Sequence, residues 1–318
     1  MSTAPAALPR WGIVATVKAP LGQVLDFAAY HLDLGAHRIH VCLDEPDPRI
    51  RAALLSHPAL RVHDCDRAHW QRLGIQRPRK HQVRQSANAT HVYGLADDLD
   101  WLAHIDVDEF LWPVNGAGMA RLLGTLDSDT LCTRLRPVEA LAGLGNAFKA
   151  MPATAGRARV LRSLYPRYGQ EVRAGFLSHV AGKLIARTGL SGVEFRIHNF
   201  RQAGAMNPGG IEFDAVELCH RHVTDWPEWI AAYRYRLEKG AYRAELAPTR
   251  PREQGGRTLH ELLQEIEAQG GEAGLRGFFD EICADTPRLR HALDKAGLLR
   301  IRELGLADKR RRHFPDFA

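Results

Sequence analysis

Short β-branched and apolar runs alternate with segments of helical spacing across the first hundred residues, and this alternation limits the possible folds more than any other feature. "WGIVATVKAP" reads as a strand stopped by proline, "LGQVLDFAAYHLDLGA" as a helix ended by Gly35, and "HRIHVCLDEPDP" as a second strand closed by acidic residues and prolines. A helical "RIRAALLSHP", a strand "LRVHDCD", a polar helix "KHQVRQSANATHVYGLADDL" and a strand "WLAHIDVDEF" complete the series. Strands separated by helices require crossover connections, so the expectation is an α/β fold: a mostly parallel sheet flanked by helices. Such sheets bind their ligands beyond the carboxyl ends of the strands.

After residue 110 the pattern loosens. "DTLCTRLRPVEA", "HVAGKLIAR" and "VEFRIHNFRQAG" read as strands, and "NPGGIEFDAVELCHRHV" as a loop entering one more. "DWPEWIAAYRYRLEKGAYRAE" is expected to be a helix, opened by a capping Asp225 and by Pro227. "LAPTRPREQGGRT" reads as a linker and the remainder as charged helix, giving a domain over residues 1–240 and a linker with a C-terminal helical extension over 241–318.

Composition narrows the class. Of 318 residues, 45% are hydrophobic and 25% charged, the balance of a globular chain rather than a disordered one. The 43 Lys and Arg against 37 Asp and Glu leave +6, which permits polyanion binding without demanding it, so no nucleic-acid partner is expected. Cys42, Cys65, Cys132, Cys219 and Cys283 are odd in number, scattered and without a CxxC, which argues against a disulfide framework or a zinc knuckle and fits the cytoplasm. The start "MSTAPAALPRWG" lacks the build of an export signal, and no run of about 18 apolar residues occurs.

"WLAHIDVDEFLWP" sets Asp106, Asp108 and Glu109 at the end of an otherwise apolar strand, where each buried ion costs several kcal/mol unless compensated. If the strand continues through them, Asp106 and Asp108 share a side and Val107 takes the other. Two converging carboxylates without cysteine partners favour a hard cation, Mg²⁺ or Mn²⁺, of the kind shared with substrate phosphates. Other D-x-D chemistries fit less well. A phosphatase of the haloacid-dehalogenase type calls for Thr or Val where Phe110 stands, and "HID" is not the H-x-E of a zinc deaminase. There is no G-x-x-x-x-G-K-[ST], and "GAHRIH" is not a dinucleotide fingerprint.

Taken with the opening "VATVKAP...LDFAAYHLDLGAHRIHVCLDEPDP", the stretch "DWLAHIDVDEFLWP" resembles glycosyltransferases of the GT-A fold, in the bacterial family-2-like branch related to family 92. The resemblance runs from about Trp11 to about Gly240, with "RQSANA", "HVAGK", "RIHNF" and "CHRHVTDWPEWIAAYRYRLEKG" in the same order. It implies a nucleotide-diphosphate sugar site. Asp106 would contact the ribose or a metal-bound water, Asp108 would ligate Mn²⁺ or Mg²⁺, and His220 would supply a late metal or diphosphate contact. Thr16 and Asp44, at the ends of the first two strands, would line the ribose and base. Where the branch often has K-N-E after the first strand, this chain has Lys18-Ala19-Pro20, which leaves the nucleotide open.

Physical reasoning adds further candidates. Arg84 and Asn88 lie four apart on one helix face, and Lys183 sits in a glycine-flanked turn, where cations would offset charge developing on a leaving nucleoside diphosphate. Sixteen histidines make any single one an ordinary polar residue by default; His220 stands out because it shares its facing with His222 and matches the branch. An inverting transfer needs a base for the acceptor hydroxyl, for which Asp214 and Glu139 are the candidates. The expected activity is transfer from a nucleotide sugar, such as a UDP-sugar, to a saccharide or lipid-linked acceptor in surface polysaccharide biosynthesis. The rivals are a nucleotidyltransferase, disfavoured because "KAPLGQ" offers one glycine for a phosphate loop, and a degenerate carbohydrate-binding protein. Near the C-terminus, Lys309, Arg310, Arg311 and Arg312 adjoin Phe314 and Phe317, a pattern suited to peripheral contact with an anionic membrane, at its inner face, or to a solvated tail.

Overall fold

The computed structural model of the chain describes residues 7–143, 145–239, 242 and 246–317. In chain order the first half holds β1 (Trp11–Val17), α1 (Leu21–Asp33), β2 (Arg38–Leu43), α2 (Pro48–Leu55), β3 (Leu60–Asp64), α3 (Arg67–Arg72), α4 (His81–Tyr93), β4 (Trp101–His104), β5 (Glu109–Pro113), α5 (Met119–Gly124) and β6 (Cys132–Ala140). Then come β7 (Ala147–Lys149), α6 (Arg157–Leu164), β8 (Lys183–Arg187), β9 (Val193–Phe195), β10 (Phe200–Gln202), β11 (Ala205–Met206) and β12 (Gly210–His220). The last are α7 (Trp226–Glu238), α8 (Leu259–Ile282), α9 (Pro287–Lys295), β13 (Leu299–Ile301) and α10 (Leu306–His313). The chain is α/β, with a mixed sheet flanked by helices.

Two compact units share these elements. Unit 1 takes the residues up to Arg136, Ala181–Leu218 and those from Leu304 on; unit 2 takes Pro137–Val180 and Cys219–Glu303. This differs from the expected division at residue 240, a position that lies outside the described residues. Both units are discontinuous because β6 and β12 each begin in unit 1 and end in unit 2, and because α10 packs on α1.

In unit 1, β3, β2, β1 and β4 run parallel in that order, with Val14 opposite both His40 and His104. All seven residues of β1 are buried, as a central parallel strand covered on both faces requires. The chain steps outward from β1 to β3 and then returns to the other side of β1. With right-handed crossovers this puts α1 and α2 on one face and α4 on the other. Accordingly α1 contacts α2 and β5, whereas Ala89, Val92 and Tyr93 of α4 share an apolar cluster with Val14, Leu102 and Phe195. The acids and prolines after β2 start α2: Asp47 accepts hydrogen bonds from Arg49 N and Ile50 N, and Pro48 takes the first turn.

Beyond β4 the sheet turns antiparallel through β8 and then the first half of β6. "VEFRIHNFRQAG" forms β9 and β10, an antiparallel pair extended by β11, rather than one strand, because Asn199 accepts the Arg196 amide at the reversal.

Unit 2 is mainly helical around one core, in which Trp229 and Tyr233 of α7 and Phe278 and Phe279 of α8 are buried. Asp225 caps α7 at Glu228 N, and Thr258 with Glu261 forms a capping box that ends the expected linker. The second half of β6 pairs with β7, which pairs with β13. No helix among the described residues is long and apolar enough to cross a membrane.

The basic segment near the C-terminus is part of unit 1. Arg310 pairs with Asp26 at 3.2 Å, Arg312 pairs with Asp33, and Lys309 lies 5.0 Å over the Tyr30 ring. Phe314 is buried against His57. Exposed ion pairs contribute little, so the ring should carry the docking. Phe314→Ala should lower stability by about 3 kcal/mol in urea unfolding, as truncating a buried Phe does, while Arg312→Ala should cost under about 1 kcal/mol.

Candidate functional site

The sequence order of the parallel strands reverses between β1 and β4, the kind of switch point at which open α/β sheets bind their ligands. The residues beyond the carboxyl ends of these strands are polar, and the buried face of α4 explains why they are tolerated. Its buried positions are Arg84, Gln85, Asn88, Ala89, Val92 and Tyr93. The stripe is polar for two turns beside the strand ends and apolar where the helix covers the sheet.

Each polar position meets a strand end. Asn88 Nδ2 donates to Thr16 Oγ1 at 3.0 Å, and Asn88 Oδ1 lies 2.8 Å from His69 Nε2. Arg84 grips Asp44 with two bonds, Nε to Oδ1 at 2.7 Å and Nη2 to Oδ2 at 2.6 Å, while Arg77 reaches the same carboxylate at 3.1 Å. Burial pushes the Asp44 carboxyl upward, but hydrogen bonds from His81 and Arg84 and the charges of Arg84 and Arg77 outweigh it, and it stays far below the usual carboxylate range. Beside it opens a cavity of about 640 Å³, lined by Asp44, Asp66, Trp70, Ile75 and Arg77, at the ends of β2 and β3.

The third meeting point is the segment after β4. "WLAHIDVDEF" is not one strand: β4 stops at His104, β5 starts at Glu109, and Val107 and Asp108 form a turn. The parity argument for Asp106 and Asp108 therefore does not apply. Asp106 N donates to Glu109 Oε2 at 2.7 Å, closing the turn on itself. Asp106 Oδ2 accepts from Lys183 Nζ at 2.8 Å and Oδ1 from Gln85 Nε2 at 2.5 Å, and Glu109 Oε2 is 3.7 Å from the same ammonium. Burial works against the charge on Lys183, yet the nearby Asp106 and Glu109 hold its proton more firmly than water would.

Lys183 reaches this place through Gly182. That residue has φ +77°, and a Cβ built on it would lie 2.1 Å from the Leu135 carbonyl oxygen, so only glycine fits. His198 and Arg134 secure the turn, His198 Nδ1 lying 2.8 Å from Gly182 O and Arg134 donating to Ala181 O at 3.0 Å.

The other sequence candidates are placed as follows. His220 ends β12 in unit 2, buried, with the His179 and His222 rings 5.1 and 5.4 Å away. Asp214 is exposed on β12 in unit 1. Glu139 is buried in unit 2, pairs with Lys149 at 3.1 Å, and accepts from Leu177 N at 3.1 Å and Ser178 N at 2.6 Å. Burial would raise its carboxyl, but the Lys149 and His222 charges and the Ser178 hydrogen bonds bring it down to about 2. A carboxylate so firmly ionised and so fully bonded suits holding residues 177 and 178 better than taking a proton.

Sequence reasoning did not single out Gln85, Arg77, His81 or His69. Gln85 lies inside the quoted "RQSANA", and its one signal is a polar residue next to Arg84 on a face that continues as Ala89 and Val92. A scan against protein-family models and a search of curated proteins find no match to this chain.

Behind Asn88 stands a file of imidazoles. His40 Nδ1 is 3.1 Å from His63 Nε2, the His63 and His91 rings are 6.5 Å apart, and His91 and His69 5.8 Å. Burial, then the charge of the neighbouring imidazole, lowers His40 and His63 to about 4 each. The unfolded chain takes up these protons near 6.5 and the folded one only near 4. The stability they contribute is therefore present in full above about pH 6.5 and is lost as pH falls toward 4, at up to about 3 kcal/mol per imidazole. Thermal midpoints should fall steadily between pH 7.5 and 5, and His40→Gln should flatten that slope.

Proposed function

We propose that this chain is a metal-dependent glycosyltransferase that moves a sugar from a nucleotide-diphosphate donor to a saccharide or lipid-linked acceptor, with inversion at the sugar carbon. What supports the reading most is the convergence in unit 1 of Thr16 with Asn88, Asp44 with Arg84, and Asp106 with Lys183 at the carboxyl ends of β1, β2 and β4. An open cavity of this size beside Asp44 suits a nucleoside.

In this reading Thr16 and Asp44 line the ribose and base, and Arg84 and Asn88 fix the geometry of those two residues. Within unit 1 the ligand called on for the ion, Mn²⁺ or Mg²⁺, is the carboxylate of Asp108. Both Asp106 oxygens already accept hydrogen bonds, so Asp106 fits a role through the ion's water or the ribose rather than as a direct ligand. When bound, the divalent ion would offset the charge developing on the departing nucleoside diphosphate. Because Glu139 is engaged in its ion pair, the reading keeps exposed Asp214 as the base for the acceptor hydroxyl.

A panel of nucleotide sugars with Mn²⁺ tests this reading. One donor should raise the thermal midpoint and be slowly hydrolysed, a ligand at 100 times its Kd adding about 2.7 kcal/mol of stability. Asp108→Ala should remain folded and lose the Mn²⁺-dependent part of donor binding. Unchanged donor affinity by calorimetry in that variant, or no response to any donor in the parent, would overturn the proposal.

A further inference from the structure

We infer that Lys183 is a built-in counter-cation for the β4–β5 turn: a positioning residue that binds Asp106 and Glu109 in place of a metal ion and keeps Asp106 out of direct metal coordination. The inference rests on the reading above only for the identity of the ion; the geometry stands within unit 1.

The position of Lys183 is set by backbone that nothing else can satisfy. Leu184 lies opposite His104 in the β4–β8 ladder, so Lys183 lies beside the point where β4 ends, and Gly182 before it adopts a conformation and a packing distance that exclude a side chain. The ammonium is fully buried, so its charge cannot be balanced by water and must be met by Asp106 at 2.8 Å and Glu109 at 3.7 Å. One ammonium with three donors serves both carboxylates, and Gln85 takes the remaining oxygen of Asp106.

This arrangement competes with direct metal binding at Asp106. An ion bound to Asp106 Oδ2 at about 2.1 Å would stand within about 5 Å of Nζ, since Nζ is 2.8 Å from the same oxygen, and two cations that close in a buried site repel strongly. Binding through Oδ1 would first displace the Gln85 amide. Removing the ammonium should reverse the balance, because it takes away the cation that stands 2.8 Å from Asp106 and 3.7 Å from Glu109, two residues already linked by the hydrogen bond from Asp106 N to Glu109 Oε2.

Mn²⁺ titration of the full chain at pH 7.5, read as loss of the free-ion electron paramagnetic resonance signal without nucleotide, tests the inference. Lys183→Met should bind one Mn²⁺ more per chain than the parent, or bind it at least about tenfold more tightly, and adding Asp106→Asn should abolish that gain. Lys183→Gln replaces Lys183→Met if the latter does not fold, and Lys183→Arg should behave as the parent. Separately, Asp106→Asn alone should keep parental Mn²⁺ affinity, whereas Asp108→Asn should lose it. No gain in either neutral variant, or a tenfold loss in Asp106→Asn, overturns the inference, because a merely structural lysine would not change the number of bound ions. A parent chain that binds no Mn²⁺ counts against the metal-dependent function, while the gain in Lys183→Met still decides the role of Lys183.

Discussion

Three carboxylates follow the fully buried strand β4, and the buried ammonium of Lys183 stands among them, 2.8 Å from Asp106 and 3.7 Å from Glu109. Glu109 is fully buried there, and a buried charge without a counter-ion costs several kcal/mol. Much of the local architecture follows from that pair. β8 must run antiparallel beside β4 to bring Lys183 to the strand end, Gly182 must take its unusual backbone form, and His198 and Arg134 must hold the carbonyls on either side of that glycine's amide. The turn that carries Asp108 thus takes its shape from residues nearly eighty positions away.

Most elements of the parallel half were legible because their signals are local, although the short helix α3 was not read. Strand β1 is covered on both faces and reads as a nearly continuous apolar run, and the acids and prolines after β2 marked where that strand ends. The break inside "WLAHIDVDEF" was not legible, since the β-branched, apolar composition suits an uninterrupted strand; the interruption comes from Glu109 turning back to accept the Asp106 amide. The pairing of Arg84 and Asn88 on one face could be read from their spacing, but their partners could not. Asp44 and Thr16 lie 40 and 72 positions away, and only the β1–β2–β4 topology joins them. For the basic segment, composition alone does not reveal its partners Asp26, Asp33 and Tyr30 on α1.

Unit 2 solves a similar problem in a different way. Lys149, also fully buried, donates at 2.7 Å to the carbonyls of Gly175 and Ile282 and pairs with Glu139, whose other bonds run to the backbone of residues 177 and 178. Here the ion pair gathers irregular backbone rather than carboxylates. It stitches the end of α8, the segment before β8 and strand β6 into one polar centre inside an otherwise apolar core. Glu139, named from the sequence as a candidate base, is a member of this knot.

The docking of α10 has a consequence for the order of events during synthesis. Arg312 and its partner Asp33 are separated by 279 residues, and everything assigned to unit 2 is made between them. While the chain grows from the ribosome, α1 can therefore cover the sheet with its inner face, but its outer face stays uncovered until the segment through Phe314 has emerged. Contacts that close so long a loop come late and slowly. Unit 2, whose two segments are complete once Glu303 is made, has its residues in hand before α10 can dock, so closing unit 1 should be the later event.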